Sequence, residues 1–182
     1  RLPTYCIANF SAQSDFASGN QSKVNITAQS GNITLARYDG TNYLSQGNFT
    51  STVIDLGASS NLTLLNISWT EITPQNTTIL FQMRTSRDNS TFTDFESNTS
   101  NTSNYTNASG SVITANSNRY VQYKAILQSN NSNTTPIIED VMITYKIANF
   151  VGREDTIYLN YLDLDNFFSD PDSDAVAYNA SL

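Results

Sequence analysis

The stretch Arg119–Tyr145, RYVQYKAILQSNNSNTTPIIEDVMITY, consists of two alternating runs separated by a polar segment. In the first run every second residue from Val121 to Leu127 lies on one apolar face, the period of two that a half-buried strand requires. The second run alternates in the same way. Pro136 lacks the N–H that the interior of a ladder needs, so it can only open the second strand. We therefore predict two core strands here.

Shorter alternating runs recur upstream, and no helical period of useful length interrupts them. Asp39-Gly40 is typical of a tight hairpin turn. Short strands separated by polar turns favour an all-β fold, an antiparallel β-sandwich of jelly-roll or immunoglobulin-like type with extended terminal strand segments. The predicted strands are Val24–Ala28, Ile33–Ala36, Phe49–Leu56, Leu65–Trp69 and Ile79–Met83, with a short strand at Phe92 and Phe95.

In one predicted strand, a glycosylation motif shows which side chains point outward and which point into the core. Asn66 begins an Asn-x-Ser/Thr sequon, and a glycan can only point outward. The alternation then turns Leu65, Ile67 and Trp69 inward. This predicts that Trp69 is a core residue and not a platform on which a sugar stacks.

The composition limits the classes of partner. The chain of 182 residues fits one domain with an extension, and its charged fraction is only 14%. A net charge of -7 with nine Lys plus Arg argues against nucleic acid and anionic membranes, since both attract clustered basic residues. We find no apolar run long enough to span a bilayer and expect no membrane insertion. Because the chain begins Arg-Leu-Pro, we expect a mature, processed protein.

Sequons are the strongest compositional signal. Sixteen of 23 asparagines begin one, whereas random placement at this Ser and Thr content gives about six. The alternative is that a composition rich in Asn, Ser and Thr inflates the count. We predict N-linked glycans and an extracellular, cell-surface location. The sites are Asn9, Asn20, Asn25, Asn32, Asn48, Asn61, Asn66, Asn76, Asn89, Asn98, Asn101, Asn104, Asn107, Asn130, Asn133 and Asn179.

The single cysteine excludes an internal disulfide, and sequons without disulfides suit an archaeal cell surface best. Cys6 is interpreted as a small buried side chain, with an intermolecular disulfide as the alternative. It belongs to an N-terminal arm, residues 1–22, that is flexible or strand-like. We predict that residues 23–147 form the sandwich and that residues 148–182 form an extended tail.

Several segments taken together carry a resemblance to a known kind of module. GNITLA, GNFTSTVIDLG, an ISW strand, ILFQMRTS, RYVQYKAIL and TPIIEDVMITY resemble, in this order, a jelly-roll-like β-sandwich that recurs in secreted bacterial and archaeal surface proteins. The resemblance covers about residues 30–146. It implies an extracellular module with structural, adhesive or carbohydrate-binding duties, and it does not imply catalysis.

The tail has a resemblance of its own. Residues 153–178, REDTIYLNYLDLDNFFSDPDSDAVAY, look like the opening of a cadherin-like or immunoglobulin-like repeat, although such a domain needs roughly 90 to 100 residues. An incomplete sandwich must find a partner, and strand donation to a second copy generates a filament or surface-layer (S-layer) array. The residues expected to mediate this assembly are Tyr158, Tyr161, Leu162, Phe167, Phe168, Val176 and Tyr178.

Alternate aspartates in the tail raise the question of calcium. Asp170, Asp172 and Asp174 converge oxygens in an extended turn, and Glu154 is a candidate for a further ligand. The alternative is an ordinary solvated turn. Calcium is therefore the candidate cofactor.

An enzyme is the least favoured class. The chain has no histidine, which excludes Ser-His-Asp and Cys-His arrangements. We expect a structural subunit of a glycosylated filament or array with itself as partner. The alternative is an adhesive or carbohydrate-binding module of a larger cell-surface protein.

Overall fold

The computed structural model describes residues 4–27, 31–57, 62–95 and 104–148. The chain divides into two units, Arg1–Asn149 and Phe150–Leu182, and every described residue lies in the first. The elements are strands β1 (Thr4–Phe10), β2 (Asn20–Ser22), β3 (Val24–Ile26), β4 (Ile33–Leu35), β5 (Gln46–Thr50), β6 (Ile54–Asp55), β7 (Leu62–Ile72), β8 (Thr77–Ser86), β9 (Ser111–Val112), β10 (Tyr120–Ser129) and β11 (Ile137–Ile147), and one helix, α1 (Gln13–Ala17).

These strands form two antiparallel sheets. The first runs β3-β4-β11-β7-β9, with β1 also paired to β11, and the second runs β2-β5-β10-β6, with β8 also paired to β10. From β7 to β11, consecutive strands alternate between the two sheets. Their apolar faces enclose one core, so the prediction of an all-β antiparallel sandwich is confirmed.

The two strands of the Arg119–Tyr145 stretch lie in different sheets and face each other across the core. In β10 the four residues predicted to face inward, every second one from Val121 to Leu127, are fully buried. In β11 the side chains of Val141 and Ile143 are fully buried, and Tyr145 packs against the core from a half-buried position. The polar segment between them carries the chain from one sheet to the other.

Aromatic rings fill the centre of the sandwich around Tyr123. The ring centroid of Tyr123 lies 5.8 Å from that of Phe81, 5.9 Å from Phe10 and 6.0 Å from Phe49. Phe16, the one buried residue of α1, packs edge-on against Phe49. The first 22 residues thus contribute β1, the buried face of α1 and β2 to this unit.

The predicted inward face of β7 is right at Ile67 and Trp69 but wrong at Leu65. The pairing of β7 with β11 shifts register between Asn66, opposite Thr144, and Leu64, opposite Tyr145. A bulge inserts one unpaired residue and reverses the alternation beyond it. Leu64 is therefore only 4% exposed, whereas Leu65 is half-buried.

Three other expectations need correction. The single strand predicted over Phe49–Leu56 is interrupted after Thr50. At the break, the Ser51 hydroxyl accepts the backbone N–H of Tyr123, and the Ser51 carbonyl accepts Nε2 of Gln122. The short strand predicted at Phe92 and Phe95 is a single bridge between Phe92 and Ser86. Asp39-Gly40 lies in a loop closed by the bridge between Arg37 and Tyr43, but β4 and β5 on either side of it belong to different sheets, so it is not the tight hairpin turn that we predicted.

The polar segment 97–111, which contains four sequons, supplies a core residue. Tyr105 is 1% exposed and bridges Phe81 at the open side of β8. β9 follows it and pairs with Asn66 and Ile67 of β7. The one sign of this burial in the sequence is a single large aromatic residue, Tyr105, within a run of polar residues.

Candidate functional site

The edge of the first sheet at β1 is the main candidate for an interaction site. β1 is antiparallel to β11, with Thr4 opposite Ile147 and Phe10 opposite Val141. Among the strands described here, none pairs with the opposite side of Tyr5–Phe10. The strand contains no charge and no proline, the devices by which proteins block strand addition at an edge. On that side, no strand of the described ranges pairs with the ladder groups of Tyr5–Phe10, which could accept a further strand.

The two faces of β1 differ in character. Cys6, Ala8 and Phe10 are partly buried, and the latter two pack against the core. On the outer face, Tyr5 and Ile7 are 66% and 64% exposed. An added strand would therefore gain backbone hydrogen bonds and cover exposed apolar side chains at the same time.

Cys6 lies directly opposite Tyr145 on β11. Burial raises the pKa of the Tyr145 hydroxyl, and the charge and hydrogen bonding of the adjacent Cys6 thiol raise it further. Cys6 is thus a half-buried side chain in contact with a tyrosine.

The sequon asparagines of the described ranges all reach the surface. Eight are exposed and four are half-buried, and none of these twelve is buried. The half-buried ones are Asn32, Asn48, Asn66 and Asn104, and the exposed ones are Asn9, Asn20, Asn25, Asn76, Asn89, Asn107, Asn130 and Asn133. Asn61, Asn98, Asn101 and Asn179 lie outside the described residues.

Two sequons face each other on neighbouring strands. Asn20 of β2 lies opposite Thr50 of β5, and Ser22 lies opposite Asn48, so each asparagine sits beside the hydroxyl residue of the other motif. β10 pairs with the far side of β5. The Oδ1 atom of Asn48 is enclosed and has no hydrogen-bond partner.

A cationic and aromatic cluster covers the outer face of the second sheet. The Arg84 guanidinium donates from Nε and Nη2 to Oε1 of Gln122 at 2.9 and 2.6 Å. Its centre lies 4.8 Å from the ring centroid of Phe92 and 4.7 Å from that of Phe95. Gln122 in turn donates to the carbonyl of Ser51. The cluster holds the segment after β8 against the sheet, a role that the sequence pattern did not suggest.

Two aromatic residues that could stack on a sugar, Trp69 and Tyr43, are engaged elsewhere. Trp69 is buried, donates from Nε1 to Glu71 at 2.6 Å and stacks 4.4 Å from Phe81, which confirms it as a core residue. The ring of Tyr43 is covered by the guanidinium of Arg37 at 4.2 Å. Neither ring offers a free face to a sugar.

The predicted calcium ligands and assembly residues of the tail lie outside the described residues, so those expectations stay predictions. Within the described ranges, no group of three or more His, Cys, Asp or Glu side chains is placed to hold a metal ion. No helix in the same part of the chain is both long and apolar enough to cross a membrane.

No protein family, curated protein or solved structure matches this chain.

Proposed function

We propose that this protein is a structural subunit of an extracellular, N-glycosylated filament or surface array, and that copies join by strand addition at the edge of β1. The observation that carries the proposal is the open, uncharged side of Tyr5–Phe10 with Tyr5 and Ile7 exposed beside it. Unpaired ladder groups next to apolar side chains favour pairing with another chain.

The donor in this proposal is the tail of a neighbouring copy. Residues 156–162, TIYLNYL, have the strand-forming composition that such pairing needs, and they contain no charge. Donation from the tail of one copy to β1 of the next is a heterologous contact, which continues into a fibre unless the rotation closes a ring. The resemblance of the sandwich to modules of secreted surface proteins supports the same role.

Glycans and strand addition are compatible in this geometry. Side chains stand roughly perpendicular to a sheet, whereas a new strand joins in its plane at about 4.8 Å. A glycan on Asn9, which is exposed on the outer face of β1, therefore leaves the hydrogen-bonding side of the strand open. Trp69 and Tyr43 give no support to the carbohydrate-binding alternative, because Trp69 is buried and Tyr43 is covered, which leaves Tyr5 and Tyr38 as the exposed tyrosines for it to use.

The test is a charge placed on the edge strand of the full chain. Ile7→Lys keeps the core intact, since Ile7 is 64% exposed, but it puts a positive charge beside the incoming strand. Tyr38→Lys is the matched control, because Tyr38 is 62% exposed and lies in the turn that follows β4.

We expect sedimentation and electron microscopy to show polymers for the native chain and for Tyr38→Lys, and monomers for Ile7→Lys. Equal melting temperatures would show that Ile7→Lys has not unfolded the sandwich. Polymers of Ile7→Lys identical to those of the native chain would overturn the proposed interface.

A further inference from the structure

The sequons fall into different structural settings, and Asn48 lies in the most restrictive one. Its whole motif, Asn48-Phe49-Thr50, is paired with β2 on one side and with Lys124–Ile126 of β10 on the other. Asn66 is placed in a similar way, between Thr144 of β11 and Val112 of β9. A strand inside a sheet has its backbone groups engaged by both neighbours. It cannot enter an enzyme cleft unless both ladders open.

The side chains of the Asn48 motif are also restricted. The Asn48 amide is half-buried with Oδ1 enclosed, and Thr50 is half-buried between Asn20 and Lys124. An enzyme that recognises a sequon must contact both the asparagine amide and the hydroxyl two residues later. In the folded sheet, residues of β2 and β10 flank both side chains, Ser22 and Ile126 beside Asn48 and Asn20 and Lys124 beside Thr50, and they restrict this contact.

Asn89 lies in the opposite setting. Asn89, Ser90 and Thr91 are all exposed, in a turn that follows β8. The carboxylate of Asp88 holds this turn by accepting the backbone N–H groups of Ser90 and Thr91. When the Asp88 carboxylate releases these two N–H groups, the motif is free to move, and no pairing between strands has to open.

We propose that Asn48 is glycosylated only before the second sheet forms, whereas Asn89 stays a substrate in the folded sandwich. This inference rests on the N-glycosylation in the proposed function. In the reaction, Nδ2 of asparagine bonds to the anomeric carbon of a lipid-phosphate-linked sugar. The bond from that carbon to the phosphate oxygen breaks, the lipid phosphate leaves with the electron pair, and Nδ2 gives one proton to a base. A glycan on Asn48 is then a record of modification before folding.

The experiment compares the two sites in one molecule. The full chain is produced in a host without N-glycosylation, folded, and incubated with a purified oligosaccharyltransferase and its lipid-linked sugar donor. Peptides spanning residues 44–52 and 85–93 give the intrinsic rate of each motif. Phe81→Asp, which places a charge in the core, supplies an unfolded full chain. Mass spectrometry measures occupancy at each asparagine over time.

In the folded chain we expect Asn48 to react at least about a hundredfold slower than its peptide, because the reaction requires opening of both ladders, and Asn89 to stay within about tenfold of its peptide. In Phe81→Asp both sites should approach their peptide rates. Reaction of Asn48 within tenfold of its peptide, or a silent Asn89, in the folded chain would overturn the inference. If the native protein carries no N-glycans, the N-glycosylation in the proposed function is wrong. The rates at Asn48 and Asn89 in the folded chain, each relative to its peptide, would still test this inference.

Discussion

Tyr123 and Phe49 pack together in the centre of the sandwich with ring centroids 6.0 Å apart, and the hydroxyl of Tyr123 is buried there without a hydrogen-bond partner. Burial, with a contribution from Asp15, raises the pKa of this hydroxyl. A buried donor without a partner costs free energy, so Tyr123→Phe should leave the free energy of unfolding unchanged or raise it by up to about 1 kcal/mol. Urea denaturation measures this change.

Tyr105→Phe is the control for that substitution. Tyr105 is equally buried, but its hydroxyl accepts the backbone N–H of Thr114 at 3.4 Å. Removing the acceptor of this part-buried hydrogen bond should lower the free energy of unfolding by about 0.5–1 kcal/mol. If Tyr123→Phe is destabilised as much as Tyr105→Phe, the Tyr123 hydroxyl has a partner in solution.

Acid should destabilise the sandwich through carboxylates that hold its turns. The Arg119 side chain, bonded to Asp55 at 2.7 Å, lowers the pKa of that carboxyl to about 2. Backbone N–H groups of Thr91 and Ser90 lower the pKa of Asp88 to about 2, and those of the Asn42 turn lower that of Asp39. The folded state binds these protons less readily than the unfolded chain, whose value is 3.8. This stability is present above about pH 4 and is lost as the pH falls towards 2.

The measurement is the melting temperature between pH 7 and pH 2. We expect a flat profile from pH 7 to 5, since the chain has no histidine, and a decline below pH 4. Asp88→Asn should make the decline shallower, because it removes a carboxylate whose pKa the turn N–H groups lower. A decline of the same slope in Asp88→Asn and in the native chain would contradict the assignment.

The Arg84 cluster should depend on the planar guanidinium and not on charge alone. Arg84→Lys keeps the charge but loses the forked contact with Gln122 and the stacking on Phe92 and Phe95. We expect a loss of about 1–2 kcal/mol in the free energy of unfolding and faster proteolysis after β8. Arg87→Lys, at an exposed site with one longer bond to Asn118, should change little. If Arg84→Lys and Arg87→Lys lower the free energy of unfolding equally, the contacts of the Arg84 guanidinium do not stabilise this segment.

Removal of residues 150–182 should abolish assembly and spare the sandwich. Every strand described here lies within Arg1–Asn149, so the truncated chain should keep its circular dichroism and its cooperative melting. Sedimentation would show monomers, because the donor strand is gone. Polymers that persist after truncation would place the donor elsewhere in the chain.

The strand pattern was predictable where side chains alternate without interruption. In β10 the inward residues from Val121 to Leu127 were identified, because a period of two specifies the apolar face directly. The buried polar residues Thr85 of β8 and Ser129 of β10 were not, since the apolar pattern does not mark them. The errors at Leu65 and Ser51 have one cause: a bulge and a strand break follow from pairing with a distant strand, which local sequence does not encode.

The candidate site was less predictable than the fold. Sequons are read from the sequence, but the double pairing around Asn48 depends on β2 and β10, which lie far from it along the chain. The open edge at β1 is likewise a property of topology, because nothing in TYCIANF states on which side β11 will pair. Tyr105 escaped notice for the same reason, since its partner Phe81 is brought to it by the fold.

The central claim is that copies of this chain join by adding a strand to β1. A density map of the native material from electron microscopy tests it directly. The account predicts extended polymers in which a strand from a neighbouring copy is hydrogen-bonded to Tyr5–Phe10 and covers Ile7. Isolated molecules, or a polymer in which that side of β1 faces solvent, would contradict it.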